Sequence, residues 1–179
     1  RETVIHRFNW KLAIDGSLES YHLNHAHPIA APVYTGYATV FDFFGRNTRF
    51  VTARRRLAKG DLPPGADLLR HAMCTFHVFP NAFITTPLDH ILLQTVLPLG
   101  VDRTAVTMAL LKPRDAGPEL DDHWNQSWAM NQAVLADDFA IWETIQANYA
   151  GGFDHPALCS RFEFAIPRFH ANCREMMSR

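Results

Sequence analysis

From Glu119 to Tyr149 neither Gly nor Pro interrupts the chain, and Gly151-Gly152 follows at once. Gly and Pro are the costliest residues in a helix interior, so a run that excludes them and ends on glycines reads as one long helix. The chain before it has a different grain. Gly36–Phe44 and Thr48–Arg54 are rich in aromatic and β-branched residues and are joined by Gly45-Arg46-Asn47, which predicts a hairpin. Met73–Phe79, Ala82–Thr86, Ile91–Leu97 and Thr104–Leu111 read as further strands. Pro80-Asn81, Pro87-Leu88-Asp89 and Pro98-Leu99-Gly100-Val101-Asp102 separate them.

Leu62-Pro63-Pro64-Gly65 is a loop, with a short helix expected after it to about His71. A last helix is expected over Ile166–Met177, with Pro167 in its first turn. Nearer the start, Phe8–Ile14 mixes aromatic and aliphatic residues and reads as a strand. Asp15-Gly16-Ser17 then reads as a turn, with Ser17 as N-cap of a helix from Leu18 towards Ala26. That helix should end at His27, because the residue before a proline disfavours helical geometry. Hairpin-linked strands followed by segregated helices predict an α+β domain.

The bulk numbers narrow the function classes. A chain of 179 residues, 47% hydrophobic and 20% charged, suits one globular domain with a real core. A net charge of -1 offers no footprint for nucleic acid, and the only basic run, Arg54-Arg55-Arg56, reads as a solvated strand end. Cys74, Cys159 and Cys173 are too few, and odd in number, for a disulfide framework. Nothing approaches the ~20 apolar residues of a membrane span, and no signal peptide is visible. The expectation is a cytoplasmic protein with neither nucleic-acid nor membrane partners.

Chemistry concentrates in Glu19-Ser-Tyr-His22-Leu-Asn-His25-Ala-His27-Pro28, which holds three histidines and a carboxylate. Neutral imidazole is the commonest side-chain metal ligand. Two imidazoles with a carboxylate suit an oxygen-activating Fe(II). On an ideal helix His22 and His27 point about 140° apart, so they converge only if the helix unwinds before Pro28. His22 and His25 share a helical face and are the competing pair. Glu19, three residues before His22, is placed to accept its second N–H, or that of a histidine from a partner.

A carboxylate from elsewhere must complete such a site. Asp138 shares a helical stripe with Val134, Ile141, Trp142 and Ile145, whereas the stripe of Asp137 is smaller and more polar. A carboxylate on an apolar face needs a cation or a buried basic partner. That argument selects Asp138. Other arrangements carry less. Cys74-Thr-Phe-His77 lies in a strand-like run where residues three apart face opposite ways, so it reads as structural. Ser20-Tyr21-His22 lacks the elbow of a hydrolase nucleophile.

At this point a resemblance emerges. Asn9-Trp10-Lys11, Asp15 and Glu19-x-Tyr21-His22-x4-His27-Pro28 together resemble the iron-site segment of Rieske non-haem iron oxygenase α subunits. Val78-Phe79-Pro80-Asn81, Asp137-Asp138 with Trp142-Glu143-x-x-Gln146, Arg161-Phe-Glu163, and Phe169-His170 resemble later segments of the same catalytic domain. The likeness implies a helix-grip fold over residues 1–179, a curved antiparallel sheet around a long C-terminal helix. It implies Fe(II) held by His22, His27 and Asp138. Glu19 falls at the family's bridging carboxylate, which carries electrons from a Rieske [2Fe-2S] centre of a neighbouring subunit.

The implied reaction is O2-dependent mono- or dioxygenation of an aromatic or related organic substrate, as in aromatic catabolism. The implied partners are a reductase, with or without a ferredoxin, in a homotrimer. The Cys-x-His and Cys-x2-His ligands of a Rieske domain are expected upstream. The chain starts at Arg1 rather than Met, so truncation is the expectation, and no turnover with NADH is expected of this chain by itself. Tyr21, Phe41, Phe43, Phe76, Phe83, Trp128 and Trp142 are candidates for an apolar pocket wall. Two rivals keep some of these residues. One is a non-catalytic helix-grip module that binds an apolar molecule without iron. The other is a zinc hydrolase with the same ligands.

Overall fold

The computed structural model describes residues 1–60, 62–153 and 156–178. The chain opens with strand β1 (Glu2–His6), helix α1 (Trp10–Ser17) and a single helical turn, α2 (Leu23–Ala26). Strands β2 (Tyr34–Phe44) and β3 (Asn47–Arg54) form the expected hairpin, followed by a short helix α3 (Arg55–Ala58) and a 3-10 turn at Leu68–His71. Strands β4 (Ala72–Val78), β5 (Ala82–Thr86), β6 (Ile91–Pro98) and β7 (Thr104–Leu111) come next. A 3-10 turn at Pro118–Leu120 leads into α4 (Asp121–Ala150), and α5 (Ala165–Met177) ends the fold. All strands pair antiparallel in one seven-stranded sheet of order β1-β7-β6-β5-β4-β3-β2. The α+β helix-grip class read from the sequence is the class of this fold.

Two expectations at the N-terminus give way. Phe8–Ile14 is not a strand: α1 occupies Trp10–Ser17. Asn9 caps it, its side chain accepting the backbone N–H of Lys11 at 3.0 Å. Ala13, Ile14 and Leu18 are fully buried at helical spacing, which is the period that a short apolar run conceals. Ser17 therefore ends a helix rather than starting one. Leu18 to Tyr21 is not helical, and α2 begins at Leu23. The strand that does exist there, β1, pairs Val4 with Val106 at the sheet edge.

One face of the sheet supplies the core by strand alternation. Thr48, Phe50 and Thr52 of β3, and Thr104, Val106 and Met108 of β7, are all buried. Leu135 and Trp142 of α4, and Phe169 and Cys173 of α5, close over them. Helix α1 is pinned from two sides. On α4, Glu143 accepts the backbone N–H of Arg7 at 3.2 Å and Gln146 that of Asn9 at 2.8 Å. On α5, His170 Nε2 meets Asp15 at 2.9 Å. The contact between α1 and α4 is close enough that a Cβ on Gly16 would lie 2.5 Å from the indole nitrogen of Trp142. No described helix is long and apolar enough to cross a membrane.

Trp142 joins these layers, with its ring edge-on to Phe8 at 5.4 Å and to Phe139 at 5.7 Å. Trp142→Ala is expected to cost about 3–5 kcal/mol of stability, read from equilibrium urea unfolding followed by circular dichroism.

Candidate metal centre

Proline chemistry shapes the site. His22 precedes α2 in helical geometry, and His27, next to Pro28, leaves it at φ −118° and ψ 85°. That unwinding turns the two imidazoles toward each other, with ring centroids 5.1 Å apart at 77°. Across from them, α4 presents Asp138. Its Oδ1 lies 3.2 Å from His27 Nε2 and 3.7 Å from His22 Nε2. The three donor atoms lie within 4.8 Å of one another.

Each ring is oriented from behind. Glu19 Oε1 contacts His22 Nδ1, and Glu19 Oε2 accepts the backbone N–H of His22 at 3.2 Å. Asp137 Oδ2 sits 3.3 Å from His27 Nδ1. A carboxylate on Nδ1 fixes the tautomer that leaves the Nε2 lone pair free, the usual arrangement behind a metal-bound histidine. Asp138 is the inner carboxylate of the pair, with a side chain 12% exposed against 44% for Asp137. Burial alone would lower the His27 pKa, but the neighbouring Asp138 and Asp137 outweigh it and the pKa is raised.

The donor set fits a cation. Despite the short distance to Asp138, His27 Nε2 makes no hydrogen bond and is buried. Among the described residues, the ion-pair contacts of the Asp138 carboxylate are these two imidazoles, with no Lys or Arg. Buried polar groups left so are costly, and a divalent ion satisfies all three at once. Two nitrogens and one oxygen with room for further ligands suit Fe(II) in particular.

Other candidate residues lie apart. His25 turns outward and bonds the Tyr37 hydroxyl at 2.8 Å. His77 is a buried core residue facing the Pro80 carbonyl at 3.1 Å, and its pKa is lowered by burial. A second group, Asp89, His90 and His123, also clusters within 4.8 Å. Both ring nitrogens of its buried His90 are already engaged, by Asp89 at 2.9 Å and by Ser127 at 2.8 Å.

A cavity of about 180 Å³ adjoins the centre, with Glu19, His22, His27 and Asp138 in its wall. The rest of the wall is mostly apolar and includes Tyr34, Phe50, Phe83, Leu92 and Leu135. Of the seven aromatic candidates, only Phe83 lines it. Phe76 lies on the outer face of β4, one residue out of step with inward-facing Thr75 and His77. Phe41 and Phe43 pack on Phe164, and Trp142 is core. The Tyr21 hydroxyl donates to Glu163 at 2.9 Å, and that bond pushes its pKa up to about 12.

Comparison with known proteins agrees with this geometry. Residues 1–179 match the family of ring hydroxylating alpha subunits (catalytic domain). The chain belongs to that family. Among solved structures, a quaternary ammonium Rieske monooxygenase, CntA, in complex with an inhibitor superposes with a TM-score of 0.76 at 14% identity. That likeness covers 98% of this chain and 48% of CntA. Naphthalene 1,2-dioxygenase from Rhodococcus sp. gives 0.72 at 16% identity, over 98% of this chain and 55% of that one. Dicamba monooxygenase gives 0.64 at 14% identity, over 97% and 57% respectively. The chain thus spans about half the length of these solved relatives. No curated protein sequence matches the chain.

Two residues escaped the sequence reading. Asp137 stood there only as the rejected alternative to Asp138, yet it orients His27; its adjacency to Asp138 was the available signal. Gly36 is the other: a Cβ there would fall on the Ser20 carbonyl, on the segment that carries Glu19 and His22. Asp137→Ala is expected to weaken metal affinity about 10- to 100-fold at unchanged stoichiometry, measured by competition with a chromogenic chelator. Gly36→Ala should weaken it as well by displacing that backbone, and the same titration reads the loss.

Proposed function

We propose that this family member holds one Fe(II) with His22, His27 and Asp138 and hydroxylates an aromatic or related organic substrate with O2. The observation that carries the reading is the convergence of two Nε2 atoms and one buried carboxylate oxygen, with His27 Nε2 unpaired by anything else. Fe(II) in this donor set supplies the oxygen-activating chemistry when bound. The chain does the rest. Glu19 and Asp137 hold the imidazoles in one tautomer, and Asp138 brings the negative charge that favours a divalent ion. The apolar cavity keeps the substrate beside the centre and away from bulk water.

Glu19 has a further part in this reading. Its carboxylate already grips His22, and it is only 11% exposed at the side chain. We assign it as the bridge along which electrons reach the centre from a Rieske [2Fe-2S] cluster in a neighbouring subunit. The whole assembly is then a cytoplasmic homotrimer served by a reductase, with or without a ferredoxin.

The test is metal content after anaerobic Fe(II) reconstitution, for wild type beside His22→Ala and Asp138→Asn. About one iron per chain in the wild type, lost in both variants, is the expected result. No iron in any sample would favour an apolar binding module. A zinc ion that resists replacement would favour a hydrolase.

A further inference from the structure

Among the described residues lining the cavity, two buried side-chain atoms have no hydrogen-bond partner: His27 Nε2 and Gln94 Nε2. The metal centre accounts for the first. It does not account for the second. Gln94 lies on β6, in register with Phe83 of β5 and Met108 of β7, so it shares the inner face with two buried side chains. Several other polar side chains of the wall are already engaged. Ser20 donates to the Gly36 carbonyl at 2.8 Å, and Thr52 accepts from Thr39 at 3.2 Å. Thr75 pairs with Thr85 at 3.2 Å and Ser127 with His90 at 2.8 Å. Gln94 lines the cavity, and the fold leaves its amide nitrogen buried and unpaired.

Charge and size restrict what can meet it. Among the described residues no Lys or Arg lines the cavity, and Glu19 and Asp138 supply two carboxylates. Those two carboxylates offset the charge of a bound Fe(II), so an anionic substrate would meet no net positive charge there to offset its desolvation. An apolar cavity of about 150 Å³ takes up benzene, so about 180 Å³ admits one ring with a small substituent.

We propose that Gln94 anchors the substrate, and that the substrate is a neutral, single-ring molecule bearing one hydrogen-bond acceptor such as a carbonyl or ether. The proposal rests on reading the cavity as the oxygenase's substrate pocket. Specificity of this kind is sharp, because a substrate without the acceptor leaves the buried amide unpaired.

Calorimetric titration with acetophenone, ethylbenzene and benzoate tests it, on wild type, Gln94→Met and Gln94→Leu. Acetophenone and ethylbenzene have nearly the same shape and differ in the acceptor. Wild type should bind acetophenone about five- to tenfold tighter than ethylbenzene, with benzoate weakest. Both variants should bring acetophenone down to the ethylbenzene level and leave ethylbenzene nearly unchanged. Equal affinities in wild type, a preference for benzoate, or an intact preference in Gln94→Met would overturn the proposal. If the variants fail to fold, the wild-type ranking decides. Iron content of the same wild-type sample separates the two readings. Iron without the ranking sinks the anchor alone, and the ranking without iron sinks the oxygenase reading alone.

Discussion

The carboxylate of Asp138 sits on the inner face of α4, next to two imidazoles and out of reach of any Lys or Arg contact among the described residues. Much of the molecule is arranged so that this expensive placement holds. A buried carboxylate is tolerable only beside groups that share its charge or a cation that neutralises it. The segment from Glu19 to Pro28 supplies those groups, and the packing of α4 sets how far away they are.

That packing is specified one turn further along the same helix. Trp142 fills the space between Phe8 and Phe139 and rests on Gly16, so α1 and α4 approach closely. Glu143 and Gln146 then accept the backbone N–H groups of Arg7 and Asn9, which fixes α4 lengthwise. A rigid helix carried on such contacts is a better platform for a ligand than a loop. The histidines, by contrast, come from the irregular stretch around α2, where only non-helical backbone lets residues five apart converge. On the far side, the inner face of the sheet supplies the cavity wall. Metal centre and cavity are therefore products of one layer interface, and the same burial that forms the core leaves His27 Nε2 and Gln94 Nε2 without hydrogen-bond partners.

The sheet from β2 to β7, the long helix and the last helix were legible because their signals are local. Alternation, Pro/Gly punctuation and an unbroken helical run each act over a few residues. The α1 segment misled because Phe8–Ile14 is short and apolar, and such a run does not reveal its period until its neighbours are placed. Strand β1 was not anticipated, since Glu2–His6 is a short edge strand whose partner lies about a hundred residues away.

The site divides along the same line. The family resemblance chose His27 over His25, while residue types and helical phase brought forward Glu19, His22, His25, His27 and Asp138 as candidates and preferred Asp138 over Asp137 as the inner carboxylate. Those are statements about chemistry and period, which a linear chain carries. Tertiary structure decided that His25 turns away, that Asp137 backs His27, that Gly36 must lack a side chain, and which aromatics face the cavity. Each depends on distances between segments far apart in sequence, and such distances exist only once the sheet has closed on α4.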